Sequence, residues 1–229
     1  MIGLLIALES EAEPFLQRYP AEKTTIGGRA IARLEIDGTP VVLAICGVGK
    51  VNAAYTASLL LSRFDPSVLI SVGVSGGIGE GLRIGDLVAA DRCVQHDVDT
   101  SPLGDPKGFV STVNKVYFDT DEKLRDLFVK TTGAKVGVAA SGEQFVASPE
   151  KKKFVSDFFH AVVCDMESGA AAQCALIAGK KFLCFRTVSD LADGSAPADF
   201  PTFVKEASEK ACDAVAAFLR EAKRQGYLL

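Results

Sequence analysis

The sequence predicts an α/β protein built on a largely parallel or mixed sheet, with helices covering both faces. Short runs rich in Ile, Val and Leu alternate along the chain with segments of helical period, the pattern of strands buried on both sides. The pair Asp37-Gly38 splits two apolar runs and marks a hairpin, so the sheet is not purely parallel. The 229 residues suit one domain spanning 1–229, and no repeat, low-complexity segment or linker divides them.

In chain order, residues 2–8 (IGLLIAL) read as a buried strand. The runs 29–35 and 39–46 form the hairpin. Residues 50–63 (KVNAAYTASLLLSR) have the period of an amphipathic helix, and 68–74 (VLISVGV) is another buried strand. A glycine-dense stretch reads next as a turn, followed by GDLVAADRCVQ as a strand. Residues 121–131 and 149–159 are expected to be helical, with 135–140 and 161–164 extended. Segment 167–179 (ESGAAAQCALIAG) is a helix of small residues, 181–188 (KFLCFRTV) a strand, and 202–223 a long final helix.

Composition narrows the function only a little. Apolar residues make up 48% and charged residues 24%, which excludes a disordered chain. The 25 basic and 29 acidic residues leave a net charge of −4, whereas a phosphate-gripping nucleic-acid binder carries a basic surplus. The apolar start MIGLLIALESE has no positive leader and meets Glu9 early, so it is not read as a signal peptide. No run of about 18 uncharged apolar residues exists, so no membrane partner is expected. The six cysteines (Cys46, Cys93, Cys164, Cys174, Cys184 and Cys212) are scattered without a C-x-x-C pair. They read as reduced, mostly buried thiols of a cytoplasmic protein.

In sheets of this class ligands bind at the carboxyl ends of the strands, so the polar residues after each apolar run are the candidates. These are Glu9 and Glu11, then Gly47-Val48-Gly49-Lys50, then Gly73-Val74-Ser75-Gly76-Gly77. Ser141-Gly142-Glu143, Asp165-Met166-Glu167 and the run from Arg186 to Asp193 follow. Carboxylates dominate, which makes a poor phosphate site and a plausible acid/base site.

Familiar loop motifs fail on detail. Gly47 to Gly49 lacks the third glycine of a dinucleotide loop, and Val51 stands where a Walker loop has Ser or Thr. Ser75 sits in a literal G-x-S-x-G, but a nucleophile elbow is followed at once by a helix. Here Gly76, Gly77, Gly79 and Gly81 follow, which suits a backbone turn against a ligand. His96 and His160, the only histidines, offer no H-E-x-x-H, so no metal is expected. Read singly, Asp190 is equally a helix cap and Glu167 equally a first-turn carboxylate facing a helix dipole.

Taken together, seven pieces in order resemble the 5′-methylthioadenosine/S-adenosylhomocysteine nucleosidase family of the nucleoside phosphorylase superfamily. They are IALESEAEPF, CGVGKVNAA, VGVSGGI, GDLVAADRCVQHDVD, SGEQFV, VCDMESGAAA and FRTVSDLADG, and they span almost the whole chain. The resemblance implies a three-layer α/β/α sandwich around a central mixed sheet, assembled as a homodimer without a cofactor. It also implies hydrolysis of the N-glycosidic bond of an adenine nucleoside. Asp190 would protonate purine N7, and burial suits it to hold that proton near neutral pH. Glu11 would activate water, with Arg186 helping to orient it. Glu167 would bind the ribose hydroxyls and Met166 pack on the sugar, while Ser189 holds the Asp190 carboxyl. Phe145 would stack on the base, and the backbone at Val146 read its edge. Phe200 would line the end near the 5′ substituent, with Val48 and Ser75 completing the pocket.

Two positions depart from the family pattern. Val74 stands where a hydroxyl residue is usual, and Leu103 where an aromatic is expected near the 5′ group, so substrate range is less determined than reaction type. A phosphorylase would need cationic and backbone donors for a dianion. Glu9 and Glu11 after the first strand favour water instead. A nucleoside phosphorylase and a catalytically silent nucleoside-binding module stand as the alternatives.

Overall fold

The computed structural model describes residues 1–227, apart from the side chain of Pro197. Among the described residues ten strands form one mixed sheet. They are β1 (Ile2–Ile6), β2 (Ala21–Ile26), β3 (Arg29–Ile36), β4 (Thr39–Ile45), β5 (Val68–Gly77), β6 (Leu87–Gln95), β7 (Tyr117–Asp119), β8 (Lys135–Ser141), β9 (Ala161–Asp165) and β10 (Lys181–Asp190). The helices are α1 (Glu9–Arg18), α2 (Lys50–Phe64), α3 (Glu122–Thr132), α4 (Pro149–Phe159), α5 (Ser168–Ile177) and α6 (Ala196–Arg224).

The strand order is β10-β6-β8-β9-β5-β1-β4-β3-β2, with β7 on β6. β10 also pairs with β5, so the sheet curls until β5, β9, β8, β6 and β10 close into a ring. Helices α1, α3 and α6 cover one face, where Phe15, Phe128, Phe185 and Phe218 fill the core. Phe128 stacks on Phe185 with ring centroids 3.6 Å apart. Truncating such a ring to alanine costs about 3–5 kcal/mol. Helices α2 and α5 cover the opposite face. The small residues Ala170, Ala171, Ala172 and Ala175 are buried on α5 and let it approach α2 closely. All six cysteines are free, and all but the half-buried Cys174 are buried. Among the described residues no helix is long and apolar enough to cross a membrane.

The hairpin falls where Asp37-Gly38 predicts, and both residues have positive φ (49° and 76°), as a two-residue primed turn requires. The glycine-dense stretch turns only near its end, at Gly79 to Gly81. Its start continues β5 to Gly77, where Gly76 pairs with Cys164 and Gly77 with Val163, and this pairing helps close the ring. A Cβ on Gly76 would meet Ala192 at 2.9 Å, and one on Gly77 would meet Val188 at 2.9 Å. These glycines therefore permit close packing rather than a change of direction.

Three further elements differ from the sequence expectation. Helix α1 arises in a stretch to which the periodicity assigns no element, because Glu11, at its third position, reaches back to accept the Leu8 N–H at 2.8 Å. The strand β2 is polar and exposed, so it shows no apolar signal; its ladder with β3 defines it. Helix α6 begins at Ala196 rather than 202, running through Pro201.

Candidate active site

The carboxyl ends of β1, β5, β9 and β10 converge on a cavity of about 370 Å³. Glu11 enters it from α1, Val74 and Ser75 from β5, Asp165 to Glu167 from the β9–α5 junction, and Ser189 and Asp190 from β10. Val48 comes from the loop before α2, Phe145 from the loop after β8, and Phe200 from α6. Phe145 and Phe200 meet edge to face with centroids 5.8 Å apart. Val146 lines a smaller recess beside Asp190. The fold thus brings together residues up to 193 positions apart, Ala7 and Phe200 being the extremes.

Glu11 is held at both oxygens. Oε2 accepts the Leu8 N–H at 2.8 Å and Oε1 accepts the Val74 N–H at 2.7 Å. Burial nevertheless raises its pKa above the ordinary glutamate value, outweighing these bonds and the nearby Arg186. Asp190 is 2% exposed and burial raises its pKa too. The Ala192 N–H at 2.9 Å and the Ser189 hydroxyl at 3.0 Å oppose the shift only in part. The Oγ of Ser75 is buried without a hydrogen-bond partner among the described residues.

Glu167 accepts the Gly49 N–H at 2.9 Å through Oε1, which ties it to the loop that carries Val48. Burial, reinforced by the charge of Asp165, pushes its pKa up to about 7. Asp165 moves the other way. Burial alone would raise it, but Arg186 and hydrogen bonds from Ser141 and Ser168 leave it below the usual aspartate value.

Asp165 is the residue whose part the sequence did not disclose. It joins Arg186 Nε at 2.8 Å, the Ser141 hydroxyl at 2.5 Å, and the backbone N–H groups of Glu167 and Ser168 at 3.1 Å each. The only signal was its place in D-M-E-S at a strand end. Arg186 does not line the main cavity. Its Nη1 donates to the carbonyls of Ser71 and Phe185, and its Nη2 to the Ser71 hydroxyl. With Nε on Asp165, these bonds engage four of the five guanidinium hydrogens and leave one on Nη2. Arg186, Glu11 and Glu167 together line a recess of about 10 Å³ beneath the cavity.

Val74 lines the cavity, while Leu103 is 84% exposed and does not. His96 is buried beside the loop after β8, and neither ring nitrogen has a partner among the described residues. Among the described residues no Lys or Arg side chain lines the main cavity, whereas four carboxylates do.

The chain that builds this acid-walled cavity has close counterparts among known proteins. A sequence model of the phosphorylase superfamily matches residues 1–220. A 5′-methylthioadenosine/S-adenosylhomocysteine nucleosidase of Listeria innocua is 34% identical over 230 residues, covering 96% of this chain and 98% of that protein. The S-adenosylhomocysteine nucleosidase of Streptococcus pyogenes, solved with 5-methylthiotubericidin, superposes with a TM-score of 0.92 at 31% identity and 96% coverage of both chains. A Helicobacter pylori futalosine hydrolase gives the same TM-score at 29% identity, covering 96% of this chain and 97% of that one. The chain belongs to the 5′-methylthioadenosine/S-adenosylhomocysteine nucleosidase family of the phosphorylase superfamily, a family of N-glycosyl hydrolases.

Proposed function

We propose that the protein hydrolyses the N-glycosidic bond of 5′-methylthioadenosine, S-adenosylhomocysteine or a related adenine nucleoside. Asp190 acts as the acid and Glu11 as the base. The observation that carries this reading is the wall itself: Glu11 and Asp190, both with raised pKa, face one cavity that no described basic side chain lines.

Asp190 donates its proton to purine N7 as the C1′–N9 bond breaks, so the base leaves as neutral adenine. Water attacks C1′ of the oxocarbenium-like sugar and gives its proton to Glu11. The recess of about 10 Å³ under Glu11 and Glu167 matches the space one water needs. The free Nη2 hydrogen of Arg186 orients that water. Glu167 binds the ribose hydroxyls and Met166 packs on the sugar. Phe145 stacks on the base, and Ser75 supplies a hydroxyl beside Val74. Phe200 and Val48 give the 5′ end an apolar wall, which suits a thioether.

A nucleoside phosphorylase would need to hold a dianion between two carboxylates, in a recess sized for water and without a described basic side chain on the cavity wall. A silent binding module would not need both a base and an acid. The exposed apolar side chains Val48, Val51 and Tyr55 on and beside α2 support a homodimer, and six free cysteines support a reducing, cytoplasmic setting.

Purified protein incubated with methylthioadenosine, with and without phosphate, tests the proposal by release of adenine. Release without phosphate is expected. Strict dependence on phosphate, or tight binding without turnover, overturns it.

A further inference from the structure

Two loops border the cavity without sharing a strand ladder. The loop before α2 carries Val48 and the Gly49 N–H that holds Glu167, and the loop after β8 carries Phe145 and Val146. Asp97, just past the end of β6, bridges them. Its Oδ1 accepts Lys50 Nζ at 2.6 Å, and its Oδ2 accepts the Glu143 N–H at 2.9 Å. Glu143 closes the circuit, its Oε1 accepting the Lys50 N–H at 2.7 Å. Its carboxylate lies so close to Gly49 that a Cβ there would meet Oε2 at 2.6 Å. His96, the preceding residue, packs its ring against Gly142, where a Cβ would collide with it. The Lys50 and Asp97 side chains are only 16% and 21% exposed, so solvent screens their pairing weakly.

We propose that Asp97 is a positioning residue for substrate binding, one carboxylate that fixes the spacing between the Val48–Gly49 and Phe145–Val146 loops. This rests on the nucleosidase reading, in which those loops grip the sugar and the base. Each oxygen of Asp97 serves a different loop, so its loss leaves the two walls joined through the Glu143–Lys50 backbone bond and loosens their spacing. The carboxylates of Asp190 and Glu11 are held by Ser189, Ala192, Leu8 and Val74, none of which Asp97 touches. Asp97 therefore acts on binding common to substrate and transition state, which moves KM and spares kcat.

The test compares Asp97→Ala, Asp97→Asn and Lys50→Met with the parent protein. It measures kcat and KM for methylthioadenosine and the hydrogen exchange of the backbone amides of 142–148 without ligand. Loss of a charge-assisted bond predicts for Asp97→Ala a KM raised about tenfold, kcat within about threefold, and faster exchange over 142–148. Asp97→Asn keeps one acceptor oxygen and is expected to fall between. Unchanged KM and exchange in Asp97→Ala, or a loss confined to kcat, overturns the assignment. If Asp97→Ala does not fold, Lys50→Met removes the ammonium donor and its charge while keeping the backbone N–H that bonds Glu143, and the same split of KM from kcat is required of it. Hydrogen exchange reads the tether without turnover. An inert parent protein whose variant exchanges faster would thus sink the nucleosidase reading and leave the tether standing.

Discussion

The Asp165 carboxylate accepts the Glu167 backbone N–H at 3.1 Å, and the two neighbouring acids shift in opposite directions. Arg186 and the surrounding hydroxyls keep Asp165 ionised, and its charge adds to burial in raising Glu167 to about 7. One carboxylate thus anchors the backbone of the other and changes how readily it holds a proton.

A pH dependence of stability follows from Glu167. Its native pKa lies above the ordinary value of 4.5, so between 4.5 and about 7 the native state keeps a proton that the unfolded chain has lost. This group's contribution to stability therefore falls as pH rises through that window and is constant above it. Glu167→Gln mimics the protonated form, so its advantage in urea midpoint over the parent protein should grow from about pH 5 to about pH 8. Parallel stability curves for the two proteins would remove the shifted carboxyl from Glu167.

Asp190→Asn should lower kcat by about two to four orders of magnitude, the range for loss of a general acid. The Ala192 N–H can still bond to the amide oxygen, so the thermal midpoint should hold or rise as a buried ionisable group is removed. Adenine release and a melting curve measure both. Near-parental turnover would exclude Asp190 as the acid.

Glu11→Gln carries a double penalty. Both carboxylate oxygens accept backbone N–H groups, and a glutamine must turn its NH₂ toward one of them. Loss of turnover should therefore be accompanied by about 1–3 kcal/mol of destabilisation from an unsatisfied donor. Denaturant unfolding beside the kinetic assay separates the two effects. A variant that stays active assigns water activation elsewhere.

Gly73→Ala should act at a distance of one carboxylate. A Cβ on Gly73 would meet Glu11 Oε1 at 2.7 Å, while the strand itself has an ordinary extended backbone there. The Glu11 carboxylate must move and the fold need not. A displacement near 1 Å at a reacting group costs on the order of a hundredfold in rate. A normal kcat in the Gly73→Ala variant would show that Glu11 has room the structure does not give it.

The helices and strands of the core were legible because their burial is written in periodicity. Residues 149–159 form α4 as read, and Asp37-Gly38 makes the turn that its two positive φ values require. β2 escaped because an exposed edge strand has no apolar pattern to show, and α1 because its signal is a carboxylate reaching back rather than a hydrophobic face. The acids of the cavity were legible for a chemical reason. Each ends or follows a strand that must be apolar, so a carboxylate there stands out.

By itself, then, the sequence determined the α/β class, the mixed sheet and, through seven ordered motifs, the family. Only the tertiary structure decided that Ser75 to Gly77 extend β5 and close a ring, that Arg186 lies beneath the cavity, and that Asp165 binds it there. Local patterns report how each segment meets water. Which buried charge faces which is set by contacts such as Asp165 with Arg186 or Asp97 with Lys50, between residues far apart in the chain, and no local pattern encodes their distance.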